Sequence, residues 1–186
     1  AVDGPAGAGK STIAKIIAKR LNINYIDTGA MYRAVTLKCL QNNVDVKDEN
    51  AVIEMAKKTS IDFRDNNIYL DGKVVNDEIR TIEVTNNVSN VAKIKEVRYL
   101  MVDLQREIGK NNAVILDGRD IGSYVFPNAD YKFFLVATPE ERGKRRYIEL
   151  KEKGYKLAIC SNASKWELDI ILRKLEVNDY FDVIQG

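Results

Sequence analysis

Near its start the chain reads Gly4-Pro5-Ala6-Gly7-Ala8-Gly9-Lys10-Ser11: a glycine, four intervening residues, then Gly-Lys-Ser. Glycines lack a Cβ, so the backbone N–H groups of such a loop can curl around an anion. A helix opening near Lys10 adds the positive end of its dipole to the same place. In this pattern Lys10 bridges the β- and γ-phosphates of a nucleoside triphosphate, and the Ser11 hydroxyl ligates Mg²⁺. The plainer alternative is a glycine-rich turn ahead of a helix, and the full pattern in a strand-to-helix setting weighs against it. Triphosphate binding leaves the reaction open, because kinases, GTPases and motor ATPases share the loop.

Three further stretches carry side chains suited to anions. Thr28 and Arg33 lie in DTGAMYR, after the short expected strand INYID, and so at the carboxyl edge of a sheet, where ligands bind. Asp117 follows the apolar run AVIL and stands where an aspartate often supports Mg²⁺. Arg119 and Asp120 come next and aim a cation and an acceptor at the same crevice. Arg142, Arg145 and Arg146 fall in EERGKRR, with Arg142 and either Arg145 or Arg146 on a common helical face. Alone, that cluster is as readily a solvated basic face, and DGRD a tight turn with a surface ion pair. Beside a phosphate loop the arginines have a physical purpose. A donor triphosphate and an acceptor monophosphate bring together roughly six negative charges, and guanidinium forks neutralise them bidentately where water is excluded.

Composition narrows the chemistry further. There is no histidine, which removes Ser-His and Cys-His nucleophiles and most zinc sites. Phosphoryl transfer survives, because it runs on lysine, arginine and Mg²⁺. A net charge of +2 gives no ground for a nucleic-acid or membrane partner. No apolar run is long enough to span a bilayer and no signal peptide is evident. The two cysteines, Cys39 and Cys160, lack metal-ligand spacing, so a reducing cytoplasm is the expected setting and both are expected as buried small hydrophobes.

The elements that must hold these residues alternate. Only Ala1-Val2-Asp3 precede the loop, so either preceding residues are missing or the first strand is a stub. Ser11 to Leu21 is expected to be a helix with Ile13, Ile16, Ile17 and Leu21 on one face. AMYRAVTLKCLQNN is helical, and Asp48 caps another helix to about Lys58. IDFRDNNIYLDGKVV holds three short strands joined by the turn dipeptides DN and DG, a small antiparallel meander. NDEIRTIEVTNNVSNVAK and IKEVRYLMVDLQREIG return to helix, while AVILD and YKFFLVA read as strands buried on both faces. TPEERGKRRYIELKEKG is a charged helix with a capping-box start, Thr138 to Glu141. The expected fold is α/β, a doubly wound parallel sheet with a small antiparallel β insert.

Residues 1 to about 153 resemble the bacterial cytidylate kinase family through DGPAGAGKST, DTGAMYR, EIRTIEVTNNVSNVA, VRYLMVDLQR, ILDGRDIGSYVFPNA and EERGKRR. The resemblance implies a P-loop kinase core whose monophosphate-binding insert lies at about 60–97, and transfer of the γ-phosphate of ATP to CMP or dCMP with Mg²⁺. It assigns Gly4, Pro5, Ala6, Gly7, Ala8, Gly9, Lys10, Ser11 and Thr12 to ATP. It assigns Thr28, Arg33, Arg98, Arg119 and Asp120 to CMP, with the last two near the cytosine and its phosphate in undivided roles. Arg142, Arg145 and Arg146 resemble lid-side arginines that close on the phosphates, and Ser11 with Asp117 serves the metal. The implied partners are small nucleotides, with no nucleic acid and no membrane, for a monomer in the cytoplasm.

After ELKEKGY the family's lid and its RD…D…R helix do not follow, and the chain reads as a join near residue 150. Residues about 148–186, through LKEKGYKLAICSN, resemble part of a haloacid-dehalogenase-type phosphatase, whose second motif is an apolar strand ending in Ser or Thr. That family's nucleophilic DxD is absent, so 154–186 is expected to be a strand-helix-strand tail packing on the sheet, with Leu168, Ile171, Leu172 and Leu175 as the apolar face of its helix. Trp166 on that helix reads as core or surface. Three functions compete: a cytidylate-type kinase; a fold that binds ATP and CMP with little or no turnover, because the last charges of the site are missing; and a phosphatase. The missing charges lead us to expect poor turnover of CMP.

Overall fold

The computed structural model describes residues 1–64, 67–110 and 112–186. The chain divides into two compact units, Ala1–Val136 and Ala137–Gly186. The first is built on a four-stranded parallel sheet of β1 (Val2–Asp3), β2 (Asn24–Asp27), β6 (Val114–Gly118) and β7 (Phe133–Phe134), in the order β2-β6-β1-β7. Along β2 and β6 side chains alternate between faces. Tyr25 and Ile115 pack with Val2, Ala14 and Ala18 on one side, and Ile26 and Leu116 with Val102, Ile121 and Val125 on the other. The first layer is α1 (Lys10–Leu21); the second is α5 (Lys95–Lys110) with a π-helical turn at Ile121–Val125. The doubly wound arrangement expected from the strand–helix alternation is therefore present.

Between β2 and β6 come α2 (Thr28–Gln41), α3 (Glu49–Lys57), an antiparallel meander of β3 (Ile61–Arg64), β4 (Asn67–Leu70) and β5 (Lys73–Val74), a 3₁₀ turn at Glu78–Arg80, and α4 (Ile82–Ala92). The expected DG turn joins β4 to β5, with Asp71 and Gly72 both at positive φ, 49° and 81°, as a type I′ hairpin requires. The expected DN turn falls on residues 65 and 66, outside the described residues. NDEIRTIEV is not helical throughout. The Thr81 side chain accepts from the Val84 N–H and starts α4 only at Ile82. The meander does not have a core of its own: Ile61, Ile68 and Leu70 share one cluster with Met31 and Val35 of α2, Val52 of α3 and Met101 of α5.

Two expected core faces differ from the structure. On α1 the buried residues are Ala14 and Ala18, while Ile13, Ile16 and Leu21 are exposed. The alanines let the helix axis lie close to the sheet; Ile17 packs against the same cluster, while Ile13 and Ile16 stay exposed. YKFFLVA is not a strand buried on both faces either. Only Phe133–Phe134 pair, with β1 on one side, and Phe134 and Val136 are 67% and 78% exposed; β7 is the edge of the sheet.

The second unit holds α6 (Pro139–Glu152), β8 (Ala158–Cys160), α7 (Lys165–Lys174) and β9 (Val183–Gln185), the last two strands being a parallel pair of β8 with β9. Thr138 caps α6 by accepting from the Glu141 N–H, and Ser164 with Glu167 forms a reciprocal capping box on α7. Lys151 of α6 donates to both carboxylate oxygens of Asp182 at 2.8 and 2.9 Å. The rings of Tyr147 and Tyr180 stack 4.3 Å apart. On α7 Leu168 and Leu172 are buried, but Ile171, Leu175 and Trp166 are exposed. Cys160 is exposed and Cys39 buried, because β8 has a single strand partner and cannot cover its own faces.

Candidate active site

Three of the four strands of the parallel sheet, β1, β2 and β6, deliver a polar segment at the carboxyl end. β1 runs into the glycine loop, β2 ends at Asp27 and passes into Thr28, and β6 ends at Asp117-Gly118 before Arg119 and Asp120. The register sets Asp27 opposite Asp117 and Val2 on the other side of Asp117. Adjacent parallel strands lie about 4.8 Å apart, so the loops of β1, β2 and β6 open on one crevice.

The glycine loop is held by backbone geometry. Gly4 has φ 145°, and a Cβ built there would lie 2.2 Å from the Leu135 carbonyl oxygen; only glycine lets β1 turn into the loop beside β7. Gly9 has φ 93° and opens α1. Helices α2, α3, α4, α6 and α7 each start with a side chain accepting a backbone N–H, whereas α1 starts on glycine with no such bond and no acidic residue in its first turn. The first N–H groups of α1 therefore keep their capacity for an outside anion.

Lys10 donates from Nζ to the Pro5 carbonyl at 3.0 Å. Partial burial lowers its pKa; the Asp117 carboxylate opposes this, and the Arg119 guanidinium pushes further down. Two cations are thus close enough to repel, which is the field a polyphosphate would relieve. Asp117 is 3% exposed. Ser11 Oγ donates to its Oδ2 at 2.5 Å, Tyr25 OH to its Oδ1 at 3.2 Å, and Thr28 Oγ1 to its backbone carbonyl at 2.8 Å. Burial raises the Asp117 pKa despite those donors, and Asp27 adds to the rise.

On the other side of the crevice Arg98 of α5 donates to Asp120 at 2.6 Å. Two residues singled out from separate stretches thus meet, both partly exposed. Arg33 reaches from α2 to Thr85 Oγ1 of α4 at 3.0 Å and to the Ile79 carbonyl at 3.4 Å. These contacts tie α2 to the insert. Arg119 is exposed. In the second unit Arg145 lies 3.7 Å from Glu141, and Arg146 2.7 Å from Glu149, along α6.

Three features were not read from the sequence. Tyr25 grips Asp117 from β2; its place in an apolar strand gives no sign of that. Arg80 pairs with Asp27 at 3.3 Å, and both line a cleft of about 200 Å³ with Lys15, Tyr25, Phe63 and Asn76. None of the residues singled out from the sequence lines that cleft, which shares Tyr25 and Asp27 with the crevice. Asp3, 8% exposed, accepts from the Ile121 N–H at 2.8 Å and the Gly122 N–H at 2.7 Å; an aspartate just ahead of the glycine loop was the available signal.

The cytidylate kinase family model matches residues 1–174. The cytidylate kinase of Clostridioides difficile (strain 630) is 77% identical over 155 residues, 83% of this chain and 72% of that protein. That of Alkaliphilus oremlandii (strain OhILAs) is 61% identical over 159 residues, 86% of this chain and 73% of that protein. That of Desulforamulus reducens (strain ATCC BAA-1160 / DSM 100696 / MI-1) is 49% identical over 185 residues, 98% of this chain and 79% of that protein. The likeness thus runs beyond residue 153, where the motifs alone end it, and the phosphatase likeness of the tail gains no support from these matches.

Proposed function

This chain belongs to the cytidylate kinase family, and we propose that it transfers the γ-phosphoryl group of ATP to CMP or dCMP. The observation that carries the reading is the crevice at the carboxyl edge of the sheet. There an anion-ready helix start and Lys10 lie within electrostatic reach of Arg119. The donor site is Gly4 to Thr12 and the acceptor site Thr28, Arg33, Arg98, Arg119 and Asp120. Residues 1–153 form the kinase core with its insert at 60–97, and 154–186 the tail. Arg142, Arg145 and Arg146 supply further positive charge from α6. On this reading the reaction runs in the cytoplasm and within one copy of the chain, on small nucleotides. Among the described residues no helix is long and apolar enough to cross a membrane.

Ser11 and Asp117 suit Mg²⁺. They offer a hydroxyl and a carboxylate 2.5 Å apart, at the edge of the glycine loop. Among the described residues no group of three or more His, Cys, Asp or Glu gathers to hold a metal. A hard cation that keeps waters and phosphate oxygens needs only one or two protein ligands. When bound, it supplies charge to the β- and γ-phosphate oxygens.

The chain's own part is positioning and electrostatics. The loop amides and the start of α1 hold the donor phosphates, and Lys10 leaves the Pro5 carbonyl for the β- and γ-oxygens. The Arg98–Asp120 pair and Arg119 orient the acceptor so that its phosphate oxygen meets the γ-phosphorus in line. The arginines spread the charge that develops, and closure excludes water.

Arg119→Ala tests the acceptor side. CMP binding should weaken by about 2–5 kcal/mol, with ATP binding much less affected, in calorimetric titrations of each nucleotide. Equal losses for both would make Arg119 a structural or donor-side residue.

A further inference from the structure

We infer that Asp3 is a positioning residue for the acceptor side: its carboxylate holds the turn that presents Arg119 and Asp120. This rests on the assignment of those two residues to CMP.

Asp3 ends β1, immediately before the glycine loop, and its side chain reaches the turn that follows β6. Oδ1 accepts from the Ile121 N–H at 2.8 Å and Oδ2 from the Gly122 N–H at 2.7 Å. Both contacts are buried, and they span more than a hundred residues of sequence. Ile121 and Gly122 open the π-helical turn Ile121–Val125, which follows Arg119 and Asp120 directly. The Asp120 carbonyl accepts from the Tyr124 and Val125 N–H groups, so its backbone belongs to that turn. The far end is held as well: Arg106 donates to the Val125 carbonyl at 3.1 Å and the Tyr124 carbonyl at 3.0 Å. A carboxylate on the first N–H groups and a guanidinium on the last carbonyls satisfy both open ends of a short helical turn. Meanwhile the Asp3 backbone carbonyl accepts from the Leu135 N–H at 2.8 Å, anchoring it between β7 and β6. Asp3 thus fixes the acceptor turn to the strand that carries the donor loop. Two acceptor oxygens facing two N–H donors need a carboxylate. An amide would set its own NH₂ against one of them, leaving a buried donor unpaired.

The test is calorimetric titration of Asp3→Asn with CMP and, separately, with ATP, alongside Arg119→Ala. We expect the CMP dissociation constant to rise about tenfold while that for ATP changes less than about twofold. A residue that merely supports the fold would weaken both alike. If Arg119→Ala is selective for CMP and Asp3→Asn is not, the inference about Asp3 is overturned and the acceptor assignment stands. If neither is selective, the acceptor assignment falls and the inference with it. Should Asp3→Asn fail to fold, amide hydrogen exchange on the unmodified chain decides. Protection of the Ile121 and Gly122 amides should rise with CMP and not with ATP alone; no change with CMP, or the same change with both, overturns the inference.

Discussion

Lys10→Ala lowers the turnover number by at least about 10³-fold in a chain that still folds. Lys10 is the side-chain cation that the glycine loop itself carries, and its ammonium donates to a carbonyl of that loop, Pro5. Its partial burial already lowers its pKa, and Arg119 adds to that, so the charge is held at some cost until phosphates arrive. Removing it relieves that strain and leaves the packing of α1, which rests on Ala14 and Ala18. ADP release measured beside a thermal melt separates the two effects. Near-normal turnover by a folded Lys10→Ala chain would remove the phosphate-loop assignment.

Asp117→Asn is expected to move activity and stability in opposite directions. The Asp117 pKa is raised, chiefly by burial, so its native surroundings favour the neutral carboxyl over the ion. Burial penalises the carboxylate ion, and Ser11, Tyr25 and Lys10 offset only part of that penalty. A neutral amide of the same shape keeps acceptor and donor partners in Ser11 and Tyr25, whose hydroxyls can each turn to give or take a proton. The nucleotide-free variant should therefore melt at a higher temperature than the parent chain. Its turnover should fall by about 10²–10³-fold, because the carboxylate that would face Mg²⁺ is gone. Adding MgATP should raise the melting temperature of the parent by more than that of the variant. A variant that melts lower and keeps full turnover would show that Asp117 serves the fold and not the metal.

How far such residues are legible in sequence depends on whether their work is local. The glycine loop, the capped starts at Asp48 and Thr138, and the DG hairpin at Asp71-Gly72 are written in adjacent residues, and each is found where its spacing puts it. The strand–helix alternation gives the parallel sheet for the same reason. What the sequence left open is set by neighbours far along the chain. Ile13 and Ile16 look like a core stripe, but the sheet selects Ala14 and Ala18 because small side chains allow close approach. Phe133 and Phe134 look like a buried strand, yet only one neighbouring strand pairs with them. Arg98 and Asp120 were each singled out, but their pairing across 22 residues was not visible, nor was the grip of Tyr25 on Asp117 or of Asp3 on the acceptor turn. Hydrogen bonds between distant elements leave no periodic trace. The tail shows the same limit: its charges read as a departure from the family, while the family match itself continues to residue 174.

The most direct test is a coupled ADP-release assay on the chain with ATP and Mg²⁺, run without acceptor and then with CMP, dCMP, UMP or AMP. The family match to residue 174 takes away the ground for expecting poor turnover of CMP, and the account predicts ADP release that depends on CMP or dCMP, at a rate on the order of 10 per second, with UMP and AMP much poorer. A folded chain that binds ATP and whose ADP release is indifferent to CMP would contradict it.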